Sequence, residues 1–428
     1  MKVAIMGYGT IGSGVAEVLK VNRDLIKRKT GKTLEVKYIL DLREFPGDEN
    51  EGKIIHDFSV IDQDDEVELV VETMGGVNPA YTFVKTCLES GKHVVTSNKA
   101  LVAAHGTELL SIAREKEINF LFEASVGGGI PLIRPLTQAL AGEKILEITG
   151  ILNGTTNYIL TKMNEEGQTF EAALKTAQEL GYAERNPEAD VEGYDTCRKI
   201  SILTALASER EVNYEEVYTE GITAITDTDF KYAEKMKTAI KLFGTSILDG
   251  GRASVAVCPV MIDASHPLYS VNDVFNAVMV KGNMVGTVMF YGSGAGKLPT
   301  ASAVVADIME IAVNTDRNIP IGWTEEKLTV TPMEERTCRY FIRFAGDAGE
   351  RRQEIEASFG PVEIISIDGM DEFAVLTGPM KEGKYAKISA AFDGIRQRIR
   401  AELARFARRR ARKNVNCKEV WRQLCRRH

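Results

Sequence analysis

The 428-residue sequence lacks several features that mark special classes of protein. It has no run of about 20 apolar residues, so we expect no membrane-spanning helix. Its six cysteines include no CxxC pair and are too sparse for a disulfide framework, which excludes a small secreted scaffold and favours a reducing, cytoplasmic compartment. Its first ten residues turn glycine-rich too early for a signal peptide.

An overall basic charge is also absent. The formal net charge is −8, which speaks against a nucleic-acid partner, although residues 396–428 carry 13 Lys and Arg against 2 Asp and Glu. We expect this basic tail to be a solvated extension. The apolar fraction of 44% and the charged fraction of 27% are those of an ordinary globular protein, and the length predicts two or three domains.

A glycine-rich motif, GYGTIG, follows the short apolar run of residues 2–6. Between a strand and a helix, GxGxxG binds the pyrophosphate of a dinucleotide, because its glycines permit a tight turn, close approach of the ligand and close helix packing. The helix start adds free N–H donors. An ordinary glycine turn is the alternative. The candidate cofactor-binding residues here are Gly7, Gly9, Thr10, Ile11 and Gly12.

The end of the second predicted strand, residues 35–40, bears on the choice between NAD and NADP. Asp41 follows this strand, and a carboxylate there accepts hydrogen bonds from the adenosine ribose, which favours NAD. Arg43 could instead bind a 2′-phosphate. Both cofactors stay open at this point, with NAD favoured.

Alternating strands and helices continue to about residue 130 and predict a parallel, doubly wound α/β sheet of the Rossmann type. Ligands bind at the carboxyl ends of such strands, where Thr73, Ser97 and Lys99 lie. Three glycines, residues 127–129, follow a predicted strand at 120–126. They could approach a ligand, turn carbonyl groups toward a cation, or form a flexible loop.

The stretch 181–200, GYAERNPEADVEGYDTCRKI, is densely charged. It predicts a helix from about Asp195, on which Asp195 and Lys199 share a face. That face continues to Ile202 and Leu206, so we expect the pair to be covered. A covered ion pair costs desolvation and shifts pKa values, which is typical of functional sites. The alternative is a solvated pair, worth about 0.3–0.5 kcal/mol.

Seven motifs, in order from residue 1 to about 330, resemble the homoserine dehydrogenases. They are GYGTIGSGV, ETMGG…PA, GKHVVTSNKALVAAHG, FEASVGGGIPLIRPL, ILNGTTNYIL, LGYAERNPEADVEGYDTCRK and GSGAGKLPTASAVVADI. The resemblance implies NAD(P)-dependent interconversion of L-homoserine and L-aspartate 4-semialdehyde, in the biosynthesis of threonine, methionine and isoleucine. It also implies a homo-oligomer, either a dimer or a tetramer. A semialdehyde- or glyceraldehyde-type dehydrogenase would need a nucleophilic cysteine, and no cysteine occupies a suitable position.

The resemblance implies roles for the charged residues. Lys199 matches the proton donor to the carbonyl oxygen, and Lys99 a lysine between cofactor and substrate. Glu184 and Asp195 match substrate contacts, with Asp190 as a supporting acid. The residue types suit the chemistry, because hydride transfer builds negative charge on the aldehyde oxygen and the α-ammonium group of the substrate attracts carboxylates.

A sodium site and a further cofactor contact are also implied by the resemblance. The backbone carbonyls of Glu123, Val126, Gly128 and Ile130 match the sodium ligands, and Gly296 matches a late contact to the nicotinamide cofactor.

Two positions depart from the family pattern. Asn186 stands where an Asp precedes the proline of GYAExxP. Leu40 stands where many members carry Arg or Lys, which removes one means of binding a 2′-phosphate and favours NAD.

The predicted division of the chain has four parts. A dinucleotide-binding domain spans residues 1–133 and is completed by a helix at about 298–315, a catalytic and dimerisation domain of α+β type spans 134–330, an ACT-like α+β module spans 338–395, and the basic tail spans 396–428. The alternative function is a non-catalytic nucleotide-binding regulator on the same fold, which would have no use for a proton donor.

Overall fold

The computed structural model describes residues 1–403. Two sheets organise this part of the chain, one of six strands and one of twelve. No helix within it is long and apolar enough to cross a lipid bilayer. The predicted basic tail from residue 404 onward lies outside the described residues.

The first sheet is parallel and has the strand order β3-β2-β1-β4-β5-β6. Its strands are β1 (Lys2–Met6), β2 (Glu35–Leu40), β3 (Ile54–Ile55), β4 (Val67–Glu72), β5 (His93–Thr96) and β6 (Phe120–Leu121). The helices of this region are α1 (Thr10–Val21), α2 (Arg23–Thr30), α3 (Ser59–Asp62), α4 (Ala80–Glu89), α5 (Lys99–Glu115) and the single turn α6 (Ala124–Gly127). This strand order reverses beside β1, which creates the crevice where dinucleotides bind in doubly wound folds.

Burial on both faces explains why these strands are nearly continuous apolar runs. Val3 and Ile5 pack on one face and Ala4 and Met6 on the other, all fully buried. A late helix, α12 (Lys297–Val313), returns to this sheet, since its Val304 is buried in the same cluster as Val3 and Ile5. The predicted helix at 298–315 therefore forms and lies against the first sheet.

The second sheet is mixed and runs β12-β11-β7-β9-β10-β18-β14-β16-β15, with β8 and β13 on β10 and β17 on β14. Its strands are β7 (Ile145–Ile151), β8 (Tyr218–Thr219), β9 (Thr238–Asp249), β10 (Arg252–Asp263), β11 (Phe275–Gly282), β12 (Gly286–Ser293), β13 (Thr329–Val330), β14 (Thr337–Ala345), β15 (Glu363–Ser366), β16 (Glu372–Leu376), β17 (Met380–Lys381) and β18 (Ile395–Glu402). The helices are α7 (Gly154–Glu166), α8 (Phe170–Glu179), α9 (Glu188–Val191), α10 (Tyr194–Ser208), α11 (Asp227–Met236), α13 (Ala348–Phe359) and α14 (Glu382–Ala390). The expected α/β class with a parallel first sheet is confirmed, and the structure shows that the second sheet is mixed.

The C-terminal elements follow the order β14-α13-β15-β16-β17-α14-β18, and the four longer strands have the sheet order β15-β16-β14-β18. The boundary predicted at residue 396 falls inside β18, which pairs with β14 on one side and with β10 on the other. Ion pairs reinforce this junction, because the buried Arg400 on β18 binds both Glu382 and the partly exposed Glu220. The ACT-like character of this region stays a prediction.

The predicted strand at 120–126 is wrong beyond Leu121, because the chain turns there. The Glu123 carboxylate accepts hydrogen bonds from the backbone N–H groups of Leu132, Ile133 and Arg134, at 2.5, 2.8 and 2.7 Å. These bonds close residues 124–131 into a compact loop, which is incompatible with an extended strand.

Candidate active site

The glycine-rich turn forms a cradle at the start of α1. Gly7 has φ +93°, a left-handed conformation that favours glycine, and a Cβ on Gly12 would lie 1.9 Å from the Gly7 carbonyl oxygen. Gly9 faces open space on the other side, where a Cβ would meet only Arg43, at 4.0 Å. The first-turn N–H groups of Thr10 and Ile11 have no intrahelical acceptor and suit a pyrophosphate.

Replacing Gly12 by alanine is expected to weaken the binding of NADH and NADPH by more than about tenfold, because the added methyl group must push the Gly7 turn away from α1. Fluorescence titration of the reduced nucleotide measures this. Gly52→Ala is the matched control, since its Cβ would meet no heavy atom within 4 Å. Unchanged affinity in Gly12→Ala would show that the cradle does not hold the dinucleotide.

A cavity of about 490 Å³ extends from Gly7 and Gly9 along the ends of β2 and β4. Asp41 and Thr73 line it. The Asp41 carboxylate accepts a hydrogen bond from the Tyr8 N–H at 2.7 Å and is clamped by the Arg43 guanidinium at 2.9 Å. The pKa of Asp41 is held below its usual range, chiefly by that guanidinium, so the carboxylate stays ionised. Thr73 donates to the Gly7 carbonyl at 2.8 Å and fixes the turn.

Lys99 and Lys199 meet at one carboxylate between the two sheets. Asp195 lies in the first turn of α10, forms an ion pair with Lys99 at the start of α5, and lies 2.8 Å from the Lys199 ammonium. Asp195 is only 2% exposed and Lys199 8%. The covered ion pair expected from the sequence is therefore present.

Two of the three ammonium hydrogens of Lys199 have acceptors among the described residues. One is the Asp195 carboxylate and the other is the backbone carbonyl of Leu152, at 2.8 Å, at the end of β7. An ammonium group has three donors, so one remains for a ligand. Lys199 is thus held at two points and can give its third hydrogen to a substrate oxygen.

The two lysines differ in acidity, because Lys199 is more deeply buried than Lys99. Burial lowers the pKa of Lys199, and the Asp195 charge only partly opposes this effect. The Asp195 charge raises the pKa of Lys99 above its usual value. Burial alone would raise the pKa of Asp195, but the two ammonium charges hold it below its usual range. These opposite pKa shifts suit Lys199 to donate a proton and Lys99 to remain a permanent positive charge.

Asn153 connects the second carboxylate to the first. Its side-chain amide donates to Asp190 at 2.7 Å and to Asp195 at 2.9 Å. Its side-chain oxygen caps α7 by accepting from the Thr156 N–H. Burial and the charge of Asp195 raise the pKa of Asp190. Asp190 therefore does not contact Asp195 through its own side chain but is connected to it through Asn153.

Family models and curated relatives identify the family of this chain. A family model described as the homoserine dehydrogenase NAD-binding domain matches residues 7–123, and the homoserine dehydrogenase model matches residues 131–309. A homoserine dehydrogenase of Synechocystis sp. is 38% identical over 421 residues, which cover 93% of this chain and 96% of that protein. The chain belongs to the homoserine dehydrogenase family.

Solved homoserine dehydrogenases share the fold. The crystal structure of one from Thiobacillus denitrificans has a TM-score of 0.85 and 34% identity, and the match covers 94% of this chain and 98% of that one. A hyperthermophilic archaeal homoserine dehydrogenase in complex with NADPH has a TM-score of 0.63 and 28% identity, covering 73% and 98% of the two chains. The prediction of a homoserine dehydrogenase, an NAD(P)-dependent oxidoreductase, is confirmed, and the non-catalytic alternative is not favoured.

The structure brings some of the predicted site residues together and leaves others apart. Lys99, Lys199, Asp195 and Asp190 come together. Glu184 does not join them: its side chain is exposed and makes no hydrogen bond or ion pair within residues 1–403. Of the predicted cofactor residues, Gly7, Gly9, Asp41 and Thr73 line one cavity. Ser97 directly follows β5 and Gly296 caps α12, and neither lines that cavity.

Sequence reasoning missed Glu72, a fully buried carboxylate at the end of β4. It accepts hydrogen bonds from the Met74 N–H at 2.8 Å, from Thr96 and from Asn98. Asn98 in turn caps α5, whose first residue is Lys99. The sequence feature that could have revealed Glu72 is an acidic residue at the end of an otherwise apolar strand. Through Asn98, Glu72 fixes the start of α5 and so the position of Lys99.

The predicted sodium ligands lie on the compact loop after β6. Its position is tightly determined, since a Cβ on Gly128 would lie 2.2 Å from the Gly294 carbonyl oxygen. Within residues 1–403 the backbone carbonyl oxygens of Val126, Gly128 and Ile130 accept no hydrogen bond. The same part of the chain has no cluster of three His, Cys, Asp or Glu side chains suited to a metal. Free carbonyl oxygens fit a hard cation better than a transition metal.

Proposed function

We propose that this chain interconverts L-homoserine and L-aspartate 4-semialdehyde, with Lys199 as the proton donor to the carbonyl oxygen. The observation that carries the proposal is the Asp195–Lys199 pair, buried and held at 2.8 Å with one ammonium hydrogen left over. The nicotinamide cofactor, when bound, supplies or accepts the hydride. The protein's part is to orient the aldehyde and to move the proton.

Lys99 acts beside the donor as a fixed positive charge. Because its pKa is raised by Asp195, it stays protonated and attracts the developing negative charge or the substrate carboxylate. Asp195 and Asp190 provide negative charge for the α-ammonium group. Glu184, whose side chain is exposed, is the third carboxylate that we propose for that group.

The cofactor is an NAD(P) dinucleotide, and we propose that NAD(H) is the preferred form. Asp41 remains ionised at the ribose end of the cavity, and Leu40 provides no charge for a 2′-phosphate. The archaeal relative binds NADPH, so the family fold accepts that cofactor elsewhere.

A steady-state assay tests the activity and the preference together. Turnover of aspartate 4-semialdehyde with NADH or NADPH, and of homoserine with NAD or NADP, is the expected result. No turnover in either direction would remove the proposed reaction. A higher kcat/KM for NADPH than for NADH at pH 9 would contradict the preference for NAD(H) alone.

We also propose a sodium ion at the backbone carbonyls of Glu123, Val126, Gly128 and Ile130, and a homo-oligomer. Free carbonyl oxygens support the first, and calorimetric titration of the salt-free protein with sodium chloride tests it. The exposed Met289 and Tyr291 on the edge strand β12 support the second, which sedimentation equilibrium tests.

The proposed division of labour follows the two sheets. Residues 1–133 with α12 bind the dinucleotide, residues 134–330 provide catalysis and dimerisation, and the C-terminal elements form an ACT-like module. No regulatory ligand is assigned to that module.

A further inference from the structure

A second group of charged side chains lies at the ribose end of the cofactor cavity. Asp41 follows β2 and His56 follows β3, and these strands are parallel neighbours. Their carboxyl ends therefore bring together two residues that are 15 positions apart, and the Asp41 N–H donates to the Ile55 carbonyl at 3.1 Å. Asp41, Arg43 and His56 all line the cavity of about 490 Å³ that begins at Gly7 and Gly9.

The two ring nitrogens of His56 both face acceptors. Nδ1 lies 2.7 Å from the backbone carbonyl oxygen of Asp41, and Nε2 lies 2.9 Å from Oε1 of Glu44. A carbonyl oxygen and a carboxylate oxygen can only accept, so each contact requires an N–H, and a neutral imidazole has only one. The two contacts exist together only for the imidazolium cation.

The charges around His56 agree with this reading. The hydrogen bond to the Asp41 carbonyl is the main cause that raises the pKa of His56, and Glu44 adds to the effect. The titratable and charged groups that face the ring are Asp41, Arg43 and Glu44, while the adjoining cavity wall at Leu42, Phe58 and Phe83 is apolar. Protonation of His56 thus adds a second cation beside Arg43.

Arg43 is the first cation of the pair. It binds Asp41 through Nε and Nη2, both at 2.9 Å, while its side chain remains 61% exposed. A guanidinium binds phosphate through two parallel hydrogen bonds, so it can exchange a carboxylate for a phosphate without loss of geometry. Glu44, 76% exposed, can leave Nε2 of His56 equally freely.

We propose that Arg43 and protonated His56 together bind the 2′-phosphate of NADP(H), so that the preference shifts from NADH toward NADPH as the pH falls. This proposal rests on the proposed NAD(P)-dependent function, to which it adds His56 as a residue that determines cofactor specificity. At high pH, His56 is neutral and Asp41 favours the free ribose hydroxyl groups. At lower pH, two cations compensate for the single Asp41 carboxylate and attract the phosphate.

Fluorescence titration with NADH and NADPH, without substrate, between pH 6.5 and 9 tests the proposal. In the wild type, the ratio of Kd for NADPH to Kd for NADH is expected to rise by about tenfold or more over this range, the size of one charge-assisted hydrogen bond. In His56→Gln most of this rise in the Kd ratio should be absent. In Arg43→Gln the affinity for NADPH should fall at every pH, with little change for NADH.

The controls separate His56 from other pH effects. The 2′-phosphate has a second pKa of about 6, but this affects wild type and variant alike and cancels in their comparison. His105→Gln changes a histidine that stacks on Tyr81 near Glu108, away from Asp41, and should behave as the wild type.

Two results would overturn the proposal. One is an identical pH dependence of the Kd ratio in wild type and His56→Gln, and the other is an unchanged ratio in Arg43→Gln. Failure of both dinucleotides to bind would instead contradict the cofactor site itself, and binding without turnover would contradict only the proposed reaction.

Discussion

Replacing Lys199 by methionine is expected to lower kcat for the reduction of aspartate 4-semialdehyde by about 10²- to 10⁴-fold, the usual contribution of a positioned general acid. The Kd for NADPH should stay within about twofold of the wild type, because no contact joins Lys199 to the glycine cradle. Methionine fills much of the same volume without a charge, so the buried position is not left empty. Alanine at the same position should lose as much activity.

The matched control is Lys231→Met. Lys231 forms the same i,i+4 pair, with Asp227 in the first turn of a helix, but that pair is exposed and lies 3.1 Å apart. Its loss should leave kcat unchanged, since exposed pairs contribute little. Loss of NADPH binding in Lys199→Met would mean that the lysine belongs to the cofactor site. Retained kcat would remove it from the mechanism.

Replacing Asp195 by asparagine is expected to lower kcat by about 10²- to 10³-fold at neutral pH. Part of this loss should come from a lower pKa of Lys199, in addition to any change in its position. Asp195 is the buried negative charge between two ammonium groups. Without it, burial and the charge of Lys99 both act to lower the pKa of Lys199, and the donor is deprotonated at a lower pH.

The measurement is the pH profile of kcat for reduction in wild type and Asp195→Asn. The alkaline fall of activity should move to lower pH in the variant. Asp227→Asn removes the carboxylate of the exposed pair and should leave the profile in place. A uniform loss of activity with no movement of the profile would assign Asp195 to geometry and not to charge.

The residues that sequence reasoning placed correctly depend on short-range patterns. The glycine motif fixes a turn within six residues, and the pair Asp195–Lys199 depends on the helical period and the apolar residues around it. The helical period alone does not explain Ser201, a polar residue within α10. It is buried and bonds to the Cys197 carbonyl, because packing surrounds the helix on nearly every side.

The residues that sequence reasoning missed depend on long-range contacts. Asn153 meets Asp190 and Asp195 from 37 and 42 positions away, and Glu72 meets Thr96 from 24. No local period encodes such bonds. The sequence predicts a basic tail from residue 396, where the structure has the strand β18. The carboxylates that neutralise Arg400 on this strand lie 18 and 180 positions away, so no local pattern reveals them.

The central claim, that Lys199 moves the proton, predicts opposite pH dependences for the two directions of the reaction. Reduction of the semialdehyde needs protonated Lys199, and oxidation of homoserine needs the neutral amine. With saturating substrates between pH 6 and 11, kcat for reduction should fall and kcat for oxidation should rise, each with a midpoint below the usual lysine value. Both the fall and the rise of kcat with pH should be absent in Lys199→Met. A fall and a rise that persist unchanged in that variant would contradict the claim.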